Sequence, residues 1–352
     1  MIKKLPLKLD ADITTDCWSF YHFSIIGADC TLDDWIANHY TQIYLNESDY
    51  ECHYGMGGMI YNQLDYYDSV INTERAYINE FKDDDEIIQF IIETIDSNKY
   101  IQLECNTPTL LDHTSDIYIH EFLIYGYDLK EKVFFCPIYN EIIWEEKKIP
   151  MQHFIEAYNA RKSLKNVVID EPTYKRLRNY TITIFSLRSN CEIHLSVELL
   201  YDDLQYILME SYSETRYTNQ IDVTHNGVLS VLKAYIKYCD RILNKELYYD
   251  YTKYKFSISL KTLFEYIALL SKRIRILENR FNLNISEELY QKLTSIETNL
   301  KKMFNLSVKY SIDKKERSIL QIKQRLENAV EELKCSLDHL IPYLKKYIAD
   351  NK

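Results

Sequence analysis

The sequence lacks several features that would assign it to a common functional class. It has no apolar run near the ~18 residues that a membrane-spanning helix needs, which argues against a membrane protein. Its N-terminal residues are basic, but they lack the apolar core and the cleavage site of a secretory signal. The GMGG stretch at 55–58 lacks the Walker lysine and the spacing of a dinucleotide loop, and it is best interpreted as a turn or pocket wall. We therefore expect a soluble, cytoplasmic protein.

Paired cysteines and metal-ligand spacings are also missing. The eight cysteines stand singly, without a CxxC pair or the spacing of a disulfide framework, so neither a disulfide scaffold nor a structural zinc site is expected. His113 lies seven residues before His120, a spacing too loose for two metal ligands on one element. The sequence thus predicts no metal and no cofactor of its own.

Basic residues are scarce in the first half of the chain. Residues 1–168 contain 13 Lys and Arg against 29 Asp and Glu, a net charge of −16, whereas residues 169–352 contain 29 against 24, a net charge of +5. A nucleic acid partner is excluded as the substrate of the first half, because phosphate binding needs clustered positive charge. An acidic surface suits a cationic or amine substrate better, although it also serves solubility.

The pattern along the chain predicts two domains. Five of the six glycines lie in the first 126 residues, and short apolar runs from residue 99 onward are typical of a small antiparallel sheet. A polar stretch around 160–180 marks the boundary, so we expect one domain over 1–168 and a helical bundle over 169–352. Apolar residues recur at steps of three and four in the last segment, which predicts one buried helix stripe: Ile319, Ile322, Leu326, Ala329, Leu333, Leu337, Leu340 and Leu344.

A cysteine and a histidine stand at positions that suit acyl-transfer chemistry. Cys17 follows Thr14, Thr15 and Asp16, residue types that cap helices, so it should lie in the first turn of a helix. The positive end of a helix and a nearby imidazolium both favour the reactive thiolate. His120, about a hundred residues later, begins the apolar strand that leads to Gly126. Because only His120 begins this strand, we predict Cys17 as nucleophile and His120, rather than His22 or His113, as general base.

These segments resemble a known family. LPLKLDADITTDCWSFYHFSII, YIQLEC, IHEFLIYGYDLKEKVFF and IPMQHFIEAY, with the helical NGVLSVLKAYIKYC and FSISLKTLFEYIALLSKRIRIL, resemble bacterial papain-like cysteine peptidases and the butirosin-type acyltransferase N-terminal domain. The resemblance extends to papain-like, amide-forming cysteine acyltransferases of natural-product clusters. The resemblance implies an α+β, papain-like catalytic domain, with a central helix packed on a small antiparallel sheet.

The resemblance also implies a reaction. An acyl chain would pass from the phosphopantetheine thioester of an acyl or peptidyl carrier protein to Cys17, and a small amine or diamine would then attack to give an amide. The same residues could instead serve a cysteine peptidase or thioesterase, with water as the acceptor. A third possibility is a non-catalytic binding module that keeps the papain-like scaffold.

The usual third catalytic residue is missing. Related domains place Asp or Asn on the strand after the histidine, but FFCPIYNE contains no Asp. Asn140 is the candidate that would orient the imidazole, with Glu141 as a weaker alternative and a turn role for Asn140 equally plausible. A Cys-His-Asn triad, a Cys-His dyad and a chain without activity all remain open. Residues 1–16 contain no Gln or Asn, so no side chain is assigned to an oxyanion hole.

Carrier proteins commonly dock through acidic helix surfaces, so the basic second half is the expected docking side. The residues predicted to contact the carrier are Arg273 and Arg275, within a cluster that includes Lys272. Solvation of a helix face is the alternative explanation for this cluster.

Overall fold

A computed structural model of the chain describes most of the sequence. The described residues are 1–15, 17–29, 32–39, 42–46, 51–55, 67–77, 81–106, 110–111, 119–140, 143–162, 181–191, 193, 195–210, 225–247 and 249–351. Within them the fold is α+β, with small antiparallel sheets and a helical C-terminal region. The expected class is confirmed at this level.

The described strands are all short and, where they pair, antiparallel. They are β1 (Ile2–Lys4), β2 (Gln42–Asn46), β3 (Glu51–Gly55), β4 (Ile71–Tyr77), β5 (Tyr100–Asn106), β6 (Ile119–Ile124), β7 (Gly126–Asp128), β8 (Val133–Tyr139), β9 (Trp144–Pro150), β10 (Thr181–Leu187) and β11 (His225–Asn226).

The described helices lengthen towards the C-terminus. They are α1 (Cys17–Ile26), α2 (Asp33–Asn38), α3 (Asp84–Asp96), α4 (Met151–Lys162), α5 (Val197–Leu208), α6 (Gly227–Leu243), α7 (Tyr249–Phe281), α8 (Glu287–Asp313) and α9 (Glu316–Asp350). None of these helices is both long and apolar enough to cross a bilayer.

Two compact units divide the chain, and neither is contiguous. The first comprises Met1–Cys30 and Tyr67–Cys191, and the second comprises Thr31–Tyr66 and Glu192–Lys352. This division differs from the expected domains of 1–168 and 169–352. It differs because β10 pairs with both β4 and β5 and so completes a sheet of the first unit. It also differs because α2, β2 and β3 pack on helices of the second unit.

The first unit surrounds a buried helix with two sheets. One sheet has the strand order β1-β7-β8-β9 and the other β4-β10-β5-β6. Every residue of helix α1 from Ser19 to Ile26 is buried, which marks a core helix rather than a surface helix. Phe20 stacks on Trp144 with ring centroids 3.8 Å apart, so the helix is held against β9.

The second unit is built from long packed helices. Helix α8 packs against both α7 and α9, and α9 packs against α6. The predicted apolar stripe on α9 is confirmed, because each of its eight residues is buried. Strand β3, in the inserted segment 31–66, is joined to α7 by a hydrogen bond as well as by packing, since the Cys52 backbone N–H donates to Ser259 Oγ at 2.9 Å.

Candidate active site

Cys17 is the first residue of α1, as the capping pattern predicts. Its side chain is half-buried, while the rest of the helix runs into the core. The segment before it is fixed, because Trp144 Nε1 donates a hydrogen bond to the Thr14 carbonyl at 2.9 Å. The sulfur therefore lies at the positive end of a helix whose position is set by core packing, a placement that favours negative charge on the sulfur.

His120 lies next to this sulfur. It is the second residue of β6 and pairs with Cys105 of β5 in the antiparallel register. Its Nε2 is 3.6 Å from Cys17 Sγ. One helical turn after Cys17, the Tyr21 hydroxyl donates to the Glu121 carbonyl at 2.9 Å. This bond ties α1 to β6 beside the reactive pair, so the separation of sulfur and imidazole is set by packed elements.

The residue after the histidine completes the cluster. Glu121 Oε2 lies 3.5 Å from Cys17 Sγ and 3.7 Å from His120 Nδ1. The backbone carbonyl of Glu121 lies 3.2 Å from the same Nδ1. In the tautomer that carries its proton on Nδ1, this carbonyl accepts the N–H and leaves Nε2 as a base facing the sulfur. Glu121 thus holds the position that sequence reasoning gave to Asn140.

Asn140 has a different role in the structure. It is exposed at the turn between β8 and β9, and its Oδ1 accepts a hydrogen bond from the Ile143 backbone N–H at 3.0 Å. That contact is the one expected of a turn asparagine. Glu141, the weaker alternative, lies outside the described residues.

His22 and His113 are the other two histidines considered as the base. His22 is 1% exposed and stacks on Tyr67 at 3.9 Å between ring centroids, so it is a core residue of the first unit. His113 lies outside the described residues.

The predicted docking residues differ sharply from each other. Arg273 is only 1% exposed, and it donates to the carbonyls of Ala37 at 2.6 Å and His39 at 2.9 Å. It therefore satisfies carbonyls at the end of α2, where a cation is favoured. The prediction that Arg273 contacts a carrier is wrong, because its guanidinium is buried within the second unit.

Arg275 remains on the surface. Its guanidinium lies 3.8 Å from the centroid of the Tyr290 ring. Arg275, Tyr290 and Lys302 line a groove of about 390 Å³ in the second unit, together with Glu287 and polar side chains of α8. A groove with two exposed cations and a stacked aromatic ring suits an anionic partner better than a cationic one.

Burial makes Cys136 and Cys239 poor nucleophiles. Cys136 is fully buried, and burial raises the pKa of its thiol far above the usual range. Burial also raises the pKa of the Cys239 thiol to about 12. Cys335 is exposed and lies 3.9 Å from His339 Nδ1, one turn along α9, which makes it a useful control for Cys17.

The cluster has two chemical capacities. A thiol beside an imidazole can act as an activated nucleophile. The cluster can also hold a metal ion, because Cys17, His120 and Glu121 each offer one ligand atom and these atoms lie within 4.8 Å of one another.

In comparisons with known proteins, no family model matches this chain and no curated protein matches it.

Proposed function

We propose that the chain is a papain-like cysteine acyltransferase that joins a carrier-bound acyl chain to an amine. The observation that carries the proposal is the 3.6 Å separation between Cys17 Sγ and His120 Nε2. A thiol at the start of a buried helix, facing an imidazole near the start of an antiparallel strand, is the arrangement that papain-like chemistry needs. Donor and acceptor are a phosphopantetheine thioester on a carrier protein and a small amine.

In the first half-reaction the thiol attacks the thioester. His120 Nε2 takes the proton of Cys17 Sγ, and the sulfur adds to the thioester carbonyl carbon. The carbon–sulfur bond to phosphopantetheine then breaks, and the imidazolium returns its proton to the departing thiolate. The products are acyl-Cys17 and the free carrier thiol. The positive end of α1 favours the anionic sulfur before attack and the anionic oxygen that forms on the carbonyl.

In the second half-reaction the amine replaces the enzyme thiol. The neutral amine adds to the acyl-Cys17 carbonyl, His120 removes the proton from the attacking nitrogen, and the carbon–sulfur bond breaks. The same proton then returns to Cys17, so each cycle ends with amide, carrier thiol and the starting protonation state. Residues 1–30 and 67–191, which form the unit of the site, carry 17 Lys and Arg against 25 Asp and Glu, a net charge of −8. This charge concentrates a cationic amine near the site before it loses its proton.

The carrier is proposed to dock at exposed cations of α7 and α8 in the second unit. With Arg273 buried, the candidate contacts are Arg275 and Lys302, which line the same groove. Both are exposed. Attraction between these cations and an acidic carrier helix mainly raises the association rate, and salt screens it over ~10 Å at 0.1 M ionic strength.

Intact-protein mass spectrometry after incubation with an acylated carrier tests the proposal. We expect an adduct of the acyl mass that disappears in Cys17→Ala, remains in Cys335→Ser and is released as an amide when amine is added. Release only as the free acid would instead indicate a thioesterase or peptidase. No adduct, from folded protein and an intact thioester, would indicate a binding module.

A further inference from the structure

The spacing of the three side chains at Cys17 matches a tetrahedral metal site. Zinc bonds of ~2.3 Å to sulfur and ~2.0–2.1 Å to nitrogen or oxygen, at the tetrahedral angle, place sulfur about 3.6 Å from each other ligand. The distances from Cys17 Sγ are 3.6 Å to His120 Nε2 and 3.5 Å to Glu121 Oε2. The ligand atoms of His120 and Glu121 lie within 4.8 Å of each other, and the carboxylate is 3.7 Å from Nδ1, so one ion can bind all three side chains once the carboxylate shifts towards Nε2.

The hydrogen bond on the far side of the imidazole fits the same interpretation. Histidines that bind zinc through one ring nitrogen donate the other N–H to a carboxylate or carbonyl, which fixes the ring orientation. His120 Nδ1 has this partner in the Glu121 carbonyl at 3.2 Å. The other ring nitrogen, Nε2, faces the sulfur and is the atom that would bind the metal ion.

The charges at the cluster also favour a cation. A thiolate on Cys17 would lie 3.5 Å from the Glu121 carboxylate, so two anions would repel each other at a half-buried site. A divalent ion removes this repulsion and displaces the thiol proton when it binds. Because the set contains a thiolate and an imidazole, it selects zinc-type ions over Mg²⁺ and Ca²⁺, which prefer oxygen ligands.

We propose that Cys17, His120 and Glu121, the three ligands that the described residues offer here, bind one zinc-type divalent ion, and that the bound ion blocks acyl transfer. Binding of the ion does not depend on the proposed function, whereas the block rests on it. The two states exclude each other, because a sulfur bonded to the metal has no free thiolate to attack a thioester. The ion thus holds the enzyme in an inactive form until a competing ligand removes it.

Titration of metal-free protein with Co²⁺ tests the binding. Tetrahedral Co²⁺ with a thiolate ligand has a sulfur-to-cobalt charge-transfer absorption, which we expect to saturate at one equivalent per chain and to disappear when Zn²⁺ is added. Cys17→Ser should abolish the absorption. Glu121→Gln, which keeps the shape of the side chain, should weaken Co²⁺ binding by at least the ~10-fold typical of disturbed metal sites.

Cys335→Ser is the matched control, because that thiol also lies near a histidine but belongs to no three-ligand cluster of the described residues. The absorption should be unchanged in this variant. Absorption that survives in Cys17→Ser, or unchanged binding in Glu121→Gln with the fold confirmed by circular dichroism, would overturn the proposed site.

Two rates test the block. One is the alkylation of Cys17 by iodoacetamide, and the other is the acylation of Cys17 by the acylated carrier. Saturating Zn²⁺ should suppress both reactions, and a chelator should restore them, while alkylation of Cys335 changes little. Acylation that continues at saturating Zn²⁺, or that requires Zn²⁺, would overturn the block. Because cobalt absorption needs no acyl donor, a failure of acyl transfer in metal-free protein counts against the proposed function alone.

Discussion

Tyr21→Phe tests whether the hydrogen bond between α1 and β6 positions Cys17 and His120. Tyr21 is buried, and its hydroxyl donates to the Glu121 carbonyl at 2.9 Å, one turn from Cys17. Removing it deletes one hydrogen bond and leaves the ring packing in place, so we expect a loss of about 1 kcal/mol in the free energy of unfolding. If that energy also holds Cys17 and His120 together, the acylation rate should fall by about 5-fold, since ~1.36 kcal/mol corresponds to tenfold in rate.

Tyr127→Phe provides a matched control. Its hydroxyl donates to Asp96 Oδ1 at 2.7 Å, in the same unit but between other elements. Chemical denaturation should show a loss of stability in both variants, at least as large in Tyr127→Phe because its hydroxyl bonds a carboxylate, whereas single-turnover acylation should be slower only in Tyr21→Phe. An acylation rate unaffected by Tyr21→Phe, or reduced equally by both variants, would refute the idea that this hydrogen bond sets the geometry of the site.

Four further predictions concern His120, Arg273, Arg275 and Cys239. Replacing His120 with Ala should slow single-turnover acylation at least the ~100-fold typical of a lost general base, and a smaller loss would contradict its role. Arg273→Met should lower the free energy of unfolding by about 3 kcal/mol or more, since two buried carbonyls lose charged donors. Arg275→Glu should weaken carrier affinity, most strongly at low salt, with little change in stability. Cys239 should resist iodoacetamide at pH 8 in folded protein, because a thiol pKa of about 12 keeps it protonated, and rapid labelling would contradict its burial.

The main elements of the site could be predicted from local sequence. Capping residues before Cys17 and the apolar run after it indicate a helix that begins at the cysteine, and the structure has this helix. The apolar strand that contains His120 and the stripe on α9 follow equally from periodicity. Each of these features depends on residues close together in the chain, and for that reason the pattern is sufficient.

Glu121 was missed because strand alternation argues against it. Successive side chains of a strand point to opposite faces, so a residue next to His120 is expected to point away from whatever the histidine contacts. Near the start of β6, however, the helix N-terminus is close enough for both side chains to approach the same sulfur. The only available signal was an acidic residue adjacent to the predicted base.

The burial of Arg273 and the boundaries of the two units both depend on long-range packing. A basic cluster on a helix is normally exposed, but Arg273 meets the C-terminal carbonyls of α2, more than 200 positions away. The same packing of the 31–66 insertion makes the units non-contiguous. Local composition carries no information about which distant segment will cover a helix face. Neither the burial of Arg273 nor the unit boundaries could therefore be predicted from it.

Peptide mapping of the acyl-enzyme tests the central claim most directly. Metal-free protein is incubated with an acylated carrier in the absence of amine, denatured in acid, digested and sequenced by mass spectrometry. The acyl mass should be found on Cys17, with none on Cys335, and adding amine before denaturation should convert it to a free amide. An acyl group on any other residue, or an unmodified Cys17 in folded protein that binds the carrier, would contradict the proposed acyltransferase.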